Sequence, residues 1–216
     1  MDQLSFWDRS WKAVDPERID ACAGRTASVE DPLIQILRQR GAVHICDAGC
    51  GGGIFSLRLA ACGFHVSGFD ISADAAALAR RLLMDRGYPA PDFRAADIRA
   101  TEYADGTFDA AVARSVIDHL PLTDGVAAVR ELLRIVRPGG CVLLTLDGTD
   151  REYEAEPHER NVDGDYLYTG GKWEGMVFHP WSPDELACLT QGCETEIRPS
   201  PGGGYTLVLE KRRAGE

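Results

Sequence analysis

Three aspartates and a run of glycines hold most of the chemistry available to this sequence. Asp47 follows the apolar residues Val43, Ile45 and Cys46 and precedes Gly49, Cys50, Gly51, Gly52 and Gly53. Asp70 ends the stretch HVSGFD, 21 residues beyond Gly49 and next to Ile71, and Asp97 closes a third stretch beside Ile98. Bare backbone lets a ligand come close, and acids at successive strand ends rim a single site. A G-x-G-x-x-G dinucleotide fingerprint needs glycine at position 54, where Ile54 stands. A carboxylate at Asp47 repels a pyrophosphate resting on a helix N-terminus and favours a ligand that is cationic there. Asp70 has the position from which an acid grips a ribose diol, a spacing that fits NAD equally well. Asp97 is placed to accept from an adenine amino group.

The elements that must position these residues follow from changes of hydrophobic period. Leu33, Ile34 and Leu37 suggest a short helix leading into a strand that stops at Asp47. After the glycines a helix runs from about Ile54 to Cys62, then a strand over 65–70. A helix over 73–86 follows with Ser72 as its N-cap, then a strand over 92–96 and another over 108–115. Val126, Val129, Leu132, Leu133 and Val136 form one helix face, which Pro138, Gly139 and Gly140 end before a buried strand over 141–146. This alternation predicts an α/β fold with a mostly parallel sheet and helices on both faces. Residues 148–165, rich in acids, read as a loop or lid, and 166–178 as a hairpin turning at Gly170 and Gly171. Ser182, Pro183 and Glu185 open a helix through a capping box, and two closing strands follow.

An adenosine-bearing, partly cationic and phosphate-free ligand matches S-adenosylmethionine, whose carboxylate backbone N–H groups can take. The motifs bear this out by likeness. ICDAGCGGG, FDIS, AADI, FDAAVARSVIDHLP and LLRIVRPGGCVLLT resemble the successive motifs of the Rossmann-like (class I) S-adenosylmethionine-dependent methyltransferases over residues 40–148. The resemblance implies a seven-stranded sheet in the order 3-2-1-4-5-7-6 with an antiparallel last strand. It implies S-adenosylmethionine as cofactor, S-adenosylhomocysteine as product, and a cofactor site of Asp47, Gly49, Cys50, Gly51, Asp70, Ile71, Asp97, Ile98, Arg114 and Ser115. Two other readings remain open: a non-catalytic cofactor-binding regulatory module, and a nicotinamide-dependent oxidoreductase.

Methyl transfer is an in-line displacement at an activated sulfonium, so the protein mainly aligns the acceptor, excludes water and sometimes takes a proton. His119, just past the fourth strand, and His179, after the hairpin, are the candidate bases; His44 and His65 read as structural, and His158 as solvated. Trp7 and Trp11, four apart on one helical face, and Tyr166, Trp173 and Phe178 of the hairpin are candidates to cover the acceptor. Only alternate hairpin residues can point inward.

The totals narrow the partners. A net charge of −11 argues against nucleic acid, and no Pro-Cys pair or Asn/Asp-Pro-Pro-aromatic run follows the fourth strand. A small-molecule acceptor is therefore expected. No apolar run approaches a membrane span and no signal pattern opens the sequence. Seven cysteines without a C-x-x-C pair fit a reduced cytoplasmic protein and no metal site. The 216 residues suit a single domain: an N-terminal cap segment (1–30), a cofactor-binding core (31–148), a lid or hairpin insertion (149–180) and a closing helix with strands (181–216), as monomer or homodimer.

Overall fold

Alternation along the strands builds two apolar layers on one sheet. In the computed structural model, which describes residues 3–26, 31–88, 92–149, 151–200 and 202–212, β1 (His44–Ala48) lies at the centre. It pairs in parallel with β2 (His65–Asp70) on one side and β4 (Phe108–Arg114) on the other. β3 (Phe93–Ala95) adds to β2, and β5 (Val136–Leu146) adds to β4, both in parallel. β10 (Tyr205–Glu210) inserts antiparallel between β5 and β9 (Glu194–Pro199), which gives the order β3-β2-β1-β4-β5-β10-β9. Counting only these strands, that is 3-2-1-4-5-7-6, the expected Rossmann-like order.

Ile45, Ala110, Val112, Leu143 and Val208 face α3 (Pro32–Gln39), α4 (Ile54–Ala61) and α5 (Ala73–Asp85). Their neighbours Cys46, Ala48, Ala111, Ala113, Leu144 and Leu207 face α6 (Leu122–Ile135) and α8 (Pro183–Leu189). The capping box of α8 is complete, with Ser182 and Glu185 bonding each other's backbone reciprocally.

Two helices precede this core, α1 (Gln3–Lys12) and α2 (Pro16–Thr26). Positions 1–2 and 27–30 of the expected cap segment lie outside the described residues.

Three local expectations need correction. The Pro138-Gly139-Gly140 stretch does not separate α6 from the next strand: the helix ends at Ile135 and β5 begins at Val136. Four residues (137–140) lie between Val136 and Cys141 where only Asp109 lies between their partners Phe108 and Ala110, so the stretch is a bulge inside the strand. Glycine is required there because a Cβ on Gly140 would sit 2.3 Å from the Asp109 carbonyl oxygen. The acidic segment before the hairpin is also not a plain loop. It contains α7 (Arg151–Ala155) and β6 (His158–Arg160), and β6 joins β7 (Tyr166–Tyr168) and β8 (Val177–Phe178) in a second, three-stranded sheet. Its polar residues pack on the aromatics. His158 stacks on Tyr166 with ring centroids 4.4 Å apart, so it is not solvated as expected, and the Arg160 guanidinium lies 4.2 Å from the same ring. No helix among the described residues is long and apolar enough to cross a membrane.

Candidate active site

The carboxyl ends of β1, β2 and β4 open onto a cavity of about 730 Å³, within the range of small-ligand sites. One end is walled by Gly49, Gly51, Phe69, Asp70, Ile71, Asp97, Ile98, Arg114 and Ser115. The other is walled by Trp7, His119, Leu120, Pro121 and Asp124, and by Asn161, Asp163, Asp165, Leu167 and Val177 of the small sheet.

The first end is tied together by hydrogen bonds and ion pairs. Asp70 ends β2 and its two carboxylate oxygens accept from the Gly51 N–H (2.9 Å) and the Ser72 N–H (3.0 Å). Burial pushes the Asp70 carboxyl above the ordinary range, against those hydrogen bonds. Asp97 is gripped by the Arg99 guanidinium at 2.6 Å, which holds its carboxyl below the usual range, and Arg99 also reaches Asp124 at 2.8 Å. Ser115 follows β4 with φ +50°, an uncommon conformation for a residue with a side chain. It is held by its N–H to the Thr145 carbonyl (3.0 Å) and its hydroxyl to Asp147 (3.0 Å).

Asp47 and Cys50 are not in the wall. Ile45 faces α4, so Asp47, two residues on, faces the same way and accepts from the Ser56 hydroxyl. It is 3% exposed, and burial raises its carboxyl to about 6. Its place is under the glycine turn, fastening β1 to α4. Cys50 is buried, with its thiol pushed up by burial and by nearby carboxylates. Gly51 owes its identity to α1: with φ +51°, a Cβ there would lie 2.7 Å from the Trp11 ring, which seats on the turn.

The second end gathers residues from α1, from the turn after β4 and from the small sheet. Trp7 meets the His119 ring edge-on at 5.2 Å, and Arg9 donates to the Glu174 carbonyl at 2.8 Å. His119 Nδ1 lies 3.4 Å from the Val177 carbonyl oxygen; a proton on Nδ1 points there and leaves Nε2 as the acceptor. His179 is elsewhere. It is 1% exposed, its Nδ1 is 2.7 Å from Asp165 and its Nε2 is 3.6 Å from Glu185, so its role is to hold the small sheet to α8. Among the hairpin candidates, Tyr166, Trp173 and Phe178 form a separate apolar cluster with Phe6, and the alternate residues Leu167 and Val177 face the cavity instead.

The sequence reading missed Asn161, Asp163 and Asp165, which it took as part of a solvated lid. Their signal was the Asn161 side chain, whose carbonyl accepts from the N–H groups of Asp163 (3.0 Å) and Asp165 (2.9 Å) and closes a turn. It also missed Asp118, Asp147 and His119 as a group. One ligand atom from each lies within 4.8 Å of the others, a set able to hold a cation. Asp118 is buried with one oxygen unpartnered, and burial raises its carboxyl to about 6.

Residues 45–140 match a family model described as "Methyltransferase domain". A ubiquinone biosynthesis O-methyltransferase of Albidiferax ferrireducens is 30% identical over 192 residues, covering 83% of this chain and 74% of that protein. The chain belongs to the class I S-adenosylmethionine-dependent methyltransferases. A second methyltransferase of the same name, from Aromatoleum aromaticum, is 37% identical over 103 residues, 47% of this chain. That match spans 43% of the relative, and further methyltransferases of that name are matched over 42% to 47% of their own length. A solved S-adenosylmethionine-dependent methyltransferase from Methanosarcina mazei superposes with a TM-score of 0.68 at 22% identity, covering 85% of this chain and 99% of that one. It shares the methyltransferase fold.

Proposed function

We propose that this chain moves the methyl group of S-adenosylmethionine to a small-molecule acceptor, in the first instance to an oxygen atom, and releases S-adenosylhomocysteine. The observation that carries the reading is the continuity of one cavity from Asp70 and Asp97 to His119 beneath Trp7 and Leu167. The donor end fits an adenosine: a carboxylate oriented by two N–H groups can accept from a ribose diol, and Asp97 beside Ile98 suits an adenine. Relatives named ubiquinone biosynthesis O-methyltransferases favour oxygen as the acceptor atom.

When bound, S-adenosylmethionine supplies a methyl group already activated on a sulfonium. The chain's own residues then have two tasks. Trp7, Leu120, Leu167 and Val177 exclude water and align the acceptor. His119 Nε2 takes the proton from the acceptor hydroxyl, with the ring oriented by the Val177 carbonyl. A formal net charge of −11 speaks for a small acceptor over a nucleic acid, and seven cysteines without a C-x-x-C pair fit the reducing cytoplasm.

Titration calorimetry with S-adenosylhomocysteine and NAD, followed by mass-spectrometric product detection with phenols, thiols and amines, tests this. Expected are binding of the first ligand alone and a mass gain of one methyl on a phenol. Tight binding with no product from any acceptor favours the non-catalytic module. Binding of NAD instead refutes the reading.

A further inference from the structure

The donor's methionine end carries a carboxylate, and most N–H groups of the glycine turn are already taken. The Gly49 and Cys50 N–H groups both donate to the Phe69 carbonyl (2.8 and 2.9 Å), Gly51 donates to Asp70 (2.9 Å) and Gly53 to the Cys50 carbonyl (3.0 Å). The cavity wall is otherwise hostile to an anion, with Asp70, Asp97, Asp124, Asp163 and Asp165 in it. Two arginines stand against these acids. Arg99 is spent between Asp97 and Asp124. Arg114 is not: its nearest described carboxylate is Asp31 at 3.9 Å, and its side chain is 40% exposed into the site.

We infer that Arg114 is the receptor for the donor's carboxylate and that Asp31 positions it, an inference that rests on the function proposed above. Arg114 ends β4 one residue past the Ala113–Ala48 pairing, which sets it beside the glycine turn. Its guanidinium lies 4.4 Å over the Phe55 ring at the start of α4, so its approach is fixed by stacking as well as by charge. Asp31 is 8% exposed. One of its oxygens accepts from the Leu33 N–H at 2.9 Å and caps α3. The other faces Arg58 at 3.1 Å and Arg114 at 3.9 Å. Asp31 thus anchors the Arg114 side chain loosely enough to leave its fork for a second carboxylate.

Calorimetry with S-adenosylhomocysteine and with its decarboxylated counterpart tests the assignment without turnover. The wild-type chain is expected to prefer the carboxylate-bearing ligand by roughly 10- to 100-fold, the size of one charge-assisted contact. Arg114→Met abolishes that preference by weakening the first ligand alone, and Arg114→Lys restores part of it. Asp31→Asn keeps the helix cap, because asparagine caps as well as aspartate, yet lowers the preference partway; it also breaks the Arg58 pair and lowers the melting temperature, so the readout is the ratio of the two affinities. A preference that survives Arg114→Met, or equal weakening of both ligands, overturns the inference. A wild-type chain that binds neither ligand instead overturns the function beneath it.

Discussion

Asp47→Asn isolates what the buried acid beneath the glycine turn does. In the folded chain burial raises the Asp47 carboxyl from 3.8 to about 6, while the unfolded chain keeps the ordinary value. Below pH 3.8 both states hold the proton and the shift costs no stability. Between 3.8 and about 6 the unfolded state ionises first, so stability falls as pH rises and levels off above the folded value. At 1.36 kcal/mol per unit the full loss is about 3 kcal/mol, and about half of it falls between pH 5 and pH 7. Asparagine can still accept from the Ser56 hydroxyl and does not titrate. Urea unfolding followed by tryptophan fluorescence at several pH values gives the difference between variant and wild type, in which titrations not coupled to Asp47 cancel. That difference should move in favour of the variant by about 1.5 kcal/mol from pH 5 to pH 7. Parallel curves would refute the reasoning and return Asp47 to a solvated or ligand-facing position.

The other predictions concern the cavity. Asp70→Ala should weaken S-adenosylhomocysteine binding by about 1–3 kcal/mol in calorimetry, since it removes the acceptor oriented by Gly51 and Ser72; unchanged affinity removes Asp70 from the site. His119→Gln should lower kcat by roughly 10²- to 10⁴-fold while the cofactor Kd stays within about twofold, and equal turnover would leave His119 a packing residue against Trp7. Gly51→Ala should cost about 1–2 kcal/mol for its φ of +51° and push the Trp11 ring off the turn. Adding Trp11→Ala relieves the ring contact but not the backbone strain, so the double variant should remain less stable in urea than Trp11→Ala alone.

What the sequence made legible was periodic. Alternation between Ile45, Cys46 and their partners revealed the sheet, and Ser182 with Glu185 revealed a helix start, because both depend only on neighbours a few residues away. The strand ends were harder. Asp47, Asp70 and Arg114 share a face of the sheet, yet Asp47 turns under α4 while the other two reach the cavity, and that depends on where Ser56 and the glycine turn lie. The hairpin aromatics misled for a related reason. Tyr166 and Phe178 are large enough to make a core of their own with Phe6, so the smaller Leu167 and Val177 are left to meet the ligand. The bulge at Pro138 to Gly140 looks like a terminator locally. The bonds that Gly139 and Gly140 exchange with Lys211, far away in sequence, keep it inside a strand.

The place of β10 sets an order of events during synthesis. It lies between β5 and β9 but is made after both. Until residues 205–210 emerge, β5 has a neighbour on one side only, and Val142, Leu143 and Leu144 form an apolar rim with unpaired backbone groups. Such a rim is a template for another nascent chain. The window between making β5 and making β10 is therefore when this protein is most exposed to aggregation, and when a holding chaperone has something to grip.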